Sequence, residues 1–261
     1  MQPFEPEWAN QRVVSQAAWR GKCTGRERTI GGLIVRQGIK KAPAARPVRL
    51  QRWQAAARAS ICGYVDAYTL LNFGVYASFM TGNTTSAGVG AGQGQFIVTA
   101  VHLLPIPFFM LGILSATLLA KNGEHGALSR LSALAGGILA LEAAALLLGC
   151  PRWLSIMMLS GAMGFVNTSI THVGEQTVSL GFITGDLNNL AKQVATGIGH
   201  KSTLQSQYAW DTPWGRARLL GSVWAAFFAG AVLGTVLTPH STVWTLMLPT
   251  LLLLGFGWWG F

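Results

Sequence analysis

Five residues of this 261-residue chain could do chemistry in an apolar setting: Asp66, Asn83, Glu142, Asn167 and Asp186. A carboxylate inside an apolar run is expensive to keep in lipid and normally faces a partner, a cavity or a proton path. Asp66 stands in one such run and Glu142 in another. The remaining three are tied to Asp66 by repetition. Gly63-Tyr64-Val65-Asp66 returns 101 residues later as Gly164-Phe165-Val166-Asn167, and Phe79-Met80-Thr81-Gly82-Asn83 returns after 103 as Phe182-Ile183-Thr184-Gly185-Asp186. Phe109, Gly112 and Ala116 return after 118 as Phe227, Gly230 and Gly234. The chain is therefore an internal duplication, and acid and amide exchange places between its halves. Two acids and two amides, one of each at each level, could bind a cation, relay a proton or hold a polar solute by hydrogen bonds. They could equally cap helices or bond across the repeat interface.

The two Thr-Gly stretches add candidates for gating or helix ends: Thr81, Gly82 and Thr84 in the first, Thr184, Gly185 and Asn188 in the second. Their glycines let backbone approach closely, and their short polar side chains suit a helix N-terminus. Such an end carries partial positive charge and attracts anions, although Asp186 placed there would already neutralise it. A tight turn packed between helices is the plainer reading of each. Glu142 has no acidic counterpart in the second half; it could bind a proton or bond to a Ser or Asn of a neighbouring helix.

Other chemistries lack their residues. The histidines and the three scattered cysteines show no metal-ligand or disulfide spacing, and HExxH and GxSxG do not occur. The alternating glycines from Gly88 to Gly94 lack both the spacing of a dinucleotide loop and a following Walker lysine. No metal, no cofactor and no paired nucleophile and base are expected, so an enzyme ranks below the other readings.

These residues must be held by membrane helices. Half the chain is hydrophobic and only 11% is charged, against roughly 25% in a soluble domain. Of 19 Lys and Arg, 12 precede Ile61, which describes a basic tail on an apolar body and not a nucleic-acid-binding domain. Residues 1–48 read as a mostly disordered cytoplasmic tail; an upstream start site would look the same, and no cleaved export signal is visible. Residues 48–58 read either as a short basic amphipathic helix on the membrane surface or as the charged flank of the first span.

Six apolar stretches approach the roughly 20 residues of a span: 59–78, 96–120, 131–149, 153–172, 219–238 and 242–261, the second kinked by Pro105 and Pro107. Basic residues gather in the tail and in the loops around 121–130 and 173–218, placing both termini in the cytoplasm. The expected fold is an all-α polytopic membrane domain, residues 49–261. Its two repeats, 59–150 and 151–261, have three spans each and so run inverted, and each contains a polar Thr-Gly re-entrant or broken segment. If both polar segments crossed fully, there would be eight spans and parallel repeats.

The spaced set Gly63-Tyr64-Val65-Asp66-Ala67-Tyr68, Phe79-Met80-Thr81-Gly82-Asn83-Thr84, Gly161-Ala162-Met163-Gly164-Phe165-Val166-Asn167 and Thr184-Gly185-Asp186-Leu187-Asn188-Asn189-Leu190-Ala191 resembles the YoaK-like (DUF1275) family of bacterial integral membrane proteins, over roughly residues 52–261. The resemblance implies a multi-pass protein of the bacterial inner membrane with no established activity. The tail and the loop 199–218 depart from the family pattern and inherit no role. With the repeats, the leading expectation is a small secondary transporter or exporter of an unidentified solute or ion, with Asp66, Asn83, Asn167 and Asp186 at a site between the repeats. The alternative is a non-transporting scaffold or partner-binding module whose polar core is structural. Besides the bilayer, a homodimer is a possible partner, hinted at by the GxxxG of Gly230 and Gly234.

Overall fold

The computed structural model describes residues 48–120, 127–169, 172–173, 176–178, 180–181, 183–199, 210–240 and 242–258. The tail and the centres of the two basic loops lie outside them. Nine α-helices occur among the described residues: α1 Val48–Phe73, α2 Met80–Gly92, α3 Phe96–Leu103, α4 Pro105–Ala120, α5 Ala127–Leu147, α6 Arg152–Ser169, α7 Ile183–Ile198, α8 Pro213–Leu237 and α9 Thr242–Trp258. A two-rung antiparallel ladder, His172–Val173 with Gln176–Thr177, lies between α6 and α7.

The helix ends follow from local chemistry. No proline or other breaker interrupts 48–73, so α1 is one helix, and the basic stretch 48–58 is its opening turns and not a separate helix on the membrane surface. Gly74, with φ +76°, ends α1 in the left-handed conformation, its N–H donating to the Leu70 carbonyl at 3.0 Å. The chain then doubles back and restarts at Met80. Pro105, which has no N–H to give, separates α3 from α4 as expected. Thr212 caps α8, its Oγ1 accepting the Gly215 N–H at 3.0 Å, with Pro213 in the first helical position.

Helix crossings occur in matched sets. α1 packs along α8, and α6 packs along α4. A side chain on Gly63 would strike the carbonyl of Phe227, and one on its counterpart Gly164 the carbonyl of Phe109. Likewise Gly230 abuts the Ser60 backbone, and its counterpart Gly112 abuts Gly161. Each half thus sends its first helix against the helix of the other half that carries the repeated Phe109/Phe227 and Gly112/Gly230 positions, along a seam of glycines that brings backbones into contact. Because Ser60 meets Gly230 while Tyr64 meets Gly234, α1 and α8 run parallel. The counterparts α5 and α9 run antiparallel, since Ala133 meets Gly257 and Gly136 meets Leu254. The GxxxG of α8 is filled by α1 within the same chain.

Among the described residues, three stretches are long and apolar enough to cross a bilayer by length and composition: Phe96–Ala120 across its kink, Ala127–Leu147 and Pro213–Leu237, with Val243–Trp258 a shorter apolar helix. The expected first and fourth spans fall short because α1 ends at Phe73, so that a full-length span would have to reach back through Arg58 as well as include Asp66, and α6 ends at Ser169 and carries Ser155, Ser160, Asn167 and Thr168. Several of these polar residues, Arg58, Asp66, Ser155 and Ser160 among them, are buried in the bundle. The outer faces are apolar, with Phe96, Ile97, Leu148 and Trp258 each more than three-quarters exposed, an exterior suited to lipid.

Candidate functional site

α1 carries Asp66 to the height at which the returning chain approaches α2. Oδ1 of Asp66 accepts the Ser78 N–H at 2.7 Å and Oδ2 accepts the Ser78 hydroxyl at 2.6 Å, with the N–H groups of Ala77 and Phe79 also directed at the carboxylate. The acid therefore caps, from another helix, backbone donors ahead of α2 that have no helical partner. The second half repeats the device with an amide. Oδ1 of Asn167 accepts the N–H of Gly181, the residue in Ser78's place, at 3.2 Å. A Cβ on Gly181 would lie 3.3 Å from both Cβ and the carbonyl oxygen of Ser78, so the approach segments of α2 and α7 touch. The two Thr-Gly helices start from a common junction.

The other candidates surround that junction in different roles. Asn83 is fully buried and spent on local backbone: Oδ1 accepts the Tyr76 N–H at 3.0 Å and Nδ2 donates to the Tyr76 carbonyl at 2.7 Å. Asp186 is buried in the first turn of α7. Gly82 leaves room for the Phe79 ring, which a side chain there would displace. Thr81 is exposed, and Thr84, also exposed, returns its hydroxyl to the Met80 carbonyl at 2.8 Å. Thr184, Gly185 and Asn188 lie in the opening turns of α7, Thr184 and Asn188 exposed.

A cavity of about 440 Å³ opens beside the junction. Gly63, Asp66 and Ala67 of α1, Tyr76 and Phe79 ahead of α2, Gly181 and Thr184 from the second half, and Phe227, Ala231 and Thr235 of α8 form most of its wall. Of the four polar residues expected to share a site, Asp66 alone is on this wall; Asn83 and Asn167 stand behind it, bonded to the wall residues Tyr76 and Gly181, and Asp186 lies off the wall. Tyr76 and Phe79 meet edge to face, with centroids 5.3 Å apart.

Glu142 lies elsewhere, in the packing of α5 with α1 and α6 near Tyr68, Cys150 and Ser155. It is fully buried, and although Ser155 stands beside it, neither carboxylate oxygen closes a hydrogen bond of regular geometry. Ser155 Oγ is instead 3.3 Å from Cys150 Sγ. Arg58 is a polar core residue that the sequence hides among the arginines of a basic flank. It is buried, donates from Nη2 to Ser132 Oγ at 2.8 Å and lies 4.8 Å from the centre of the Phe256 ring. Its spacing of four and eight residues before Cys62 and Asp66 is the signal that marks it, since that spacing puts all three on one face of a continuous helix. Asp211, also buried, pairs with Arg216, Nη2 to Oδ2 2.9 Å, ahead of the first turn of α8.

Comparison with known proteins gives the family of the chain. The model of the family described as "Protein of unknown function (DUF1275)" matches residues 54–259. A UPF0700 transmembrane protein of Rhizobium meliloti (strain 1021) is 31% identical over 198 residues, which cover 75% of this chain and 80% of that protein. No solved structure matches. The matched region takes in both glycine seams, the junction and the cavity, and the chain belongs to the DUF1275 family of membrane proteins.

Proposed function

We propose that this protein is a small secondary transporter whose solute site is the cavity beside Asp66. The observation that carries the reading is the junction itself: two helix starts, one from each repeat, meet under a buried acid on the wall of a cavity. Irregular backbone of this kind survives at membrane depth where protein or a water-filled cavity satisfies it, and discontinuous helices at a repeat interface are a common transporter plan. The antiparallel run of the counterparts α5 and α9 supports inverted repeats, six spans and termini on one face, because eight spans would make those two helices parallel. The richness of the tail and adjoining loops in Lys and Arg favours the cytoplasm for that face, and a bacterial inner membrane for the whole.

Reconstitution of the full chain into proteoliposomes, with a solute panel and an imposed pH gradient, tests this. Solute or proton flux above empty vesicles, reduced by Asp66→Asn, is expected; background flux across the panel from folded protein would count against transport. The scaffold reading has its own observation, the bonding of Asp66 to the N–H and hydroxyl of Ser78 and of Asn83 to the Tyr76 backbone. It expects Asp66→Asn to lower stability and leave every flux at background.

A further inference from the structure

The chemistry of the cavity wall selects among solutes. Asp66 is the one charged side chain among the described residues that line it, and no described Lys or Arg pairs with it. The buried cation of α1, Arg58, is turned to Ser132 and Phe256. Helix N-termini brought to a cavity would normally favour an anion, each being worth about half a positive charge. Here the approach to α2 meets the full carboxylate of Asp66, and α7 carries Asp186 in its own first turn, so neither end brings an uncompensated positive pole. The rest of the wall is mainly apolar and includes the rings of Tyr76, Phe79 and Phe227. A ring face attracts a cation through its quadrupole, most strongly where water is thin, and a carboxylate beside such rings repels an anion. A volume of about 440 Å³ admits a small organic molecule.

We infer that the cavity beside Asp66 binds organic cations, ammonium compounds with an apolar or aromatic body, and discriminates against anions of the same size. The inference rests on reading this cavity as the transport site and names the class of solute it takes.

Calorimetric titration of the detergent-solubilised full chain tests it with three water-soluble probes of similar bulk: benzyltrimethylammonium, benzyl alcohol and benzenesulfonate. Benzyltrimethylammonium is expected to bind at least ten-fold more tightly than either of the others. Asp66→Asn, which can keep both bonds to Ser78 through its oxygen and nitrogen, should abolish that preference. Phe227→Leu leaves the charge and removes one ring; it should weaken the cation about five-fold with little effect on benzyl alcohol, and it serves as the test if Asp66→Asn does not fold. Equal binding of cation and alcohol, or tighter binding of the sulfonate, would overturn the cation assignment while leaving a binding cavity in place. Absence of heat with all three probes from folded wild-type protein would overturn the assignment and the site together.

Discussion

Adding one methyl group at Gly230 puts the matched helix crossings to a quantitative test. Its Cβ would land on the Ser60 carbonyl, 2.7 Å from the carbonyl carbon and 2.8 Å from Cα, all backbone atoms that no side-chain rotation can move aside. The Ser60 carbonyl oxygen lies closer still, so restoring ordinary contact near 3.5 Å requires α8 to back away from α1 by more than an ångström along the seam. Overpacking of this kind costs about 1–3 kcal/mol, and the gain from replacing a helical glycine by alanine offsets about 0.5–1 kcal/mol of it. Gly137 in α5 is the control, because a Cβ there meets nothing within 4 Å; Gly137→Ala takes the propensity gain alone. The two substitutions should therefore separate by about 2 kcal/mol, on the order of 5 °C in melting temperature for a chain of this size. Gly112→Ala, at the equivalent place in the other seam, should fall with Gly230→Ala. The assay is tryptophan-monitored melting in one detergent for all variants. A Gly230→Ala protein that melts with Gly137→Ala, or above it, would refute the seam.

The polar core makes further predictions. Asn83→Ala removes both bonds to Tyr76 and leaves a half-buried N–H and a half-buried carbonyl without their partner, so it should cost about 1–3 kcal/mol in the same melting assay. Ser132→Ala leaves a buried guanidinium donor of Arg58 without its acceptor and should cost about 1–3 kcal/mol, measured as a drop in the denaturant midpoint. Glu142→Gln has no regular hydrogen bond to lose and removes a buried acid; its melting temperature should equal or exceed that of the wild type. If Glu142 is a proton site, the same variant should lose the pH-gradient response of flux while staying folded. Thr84→Ala breaks only an exposed bond within α2 and should change stability by less than about 0.5 kcal/mol, so any loss of flux it caused would be functional.

Repetition of short motifs, at offsets that grow from 101 to 118 residues along the chain, makes much of this arrangement legible in the amino-acid sequence. It locates both helix starts and both glycine seams, because duplicated backbones need glycine wherever their helices cross at contact distance. Gly63 and Gly164, or Gly112 and Gly230, carry that signal plainly. Pro105 locates the break between α3 and α4 for an equally local reason. What spacing does not supply is the direction in which each polar side chain is spent. Asn83 and Asp66 look alike as polar residues in apolar surroundings, yet Asn83 closes on the backbone seven residues before it while Asp66 reaches twelve residues ahead and also reaches the cavity. Arg58 is hidden by its neighbours: Arg49 and Arg52 line a separate pocket with Trp53 and Ser222, and only the continuity of α1 separates the buried member of the set from those two. The swap of first helices between halves is likewise invisible in sequence, since a repeat gives which elements correspond and not which of them touch.

Accessibility of Thr184 from the two sides of the membrane tests the central claim most directly. This residue lies in the first turn of α7, on the wall of the Asp66 cavity. In a background with Cys23, Cys62 and Cys150 replaced, Thr184→Cys in sealed vesicles of known orientation would be labelled by a membrane-impermeant maleimide added to one side or the other. A site that alternates between faces should be labelled from both sides, each at its own rate, with benzyltrimethylammonium slowing both reactions. Labelling from one side only, at a rate unaffected by the cation, would mark a fixed pocket in a scaffold and contradict the transport account.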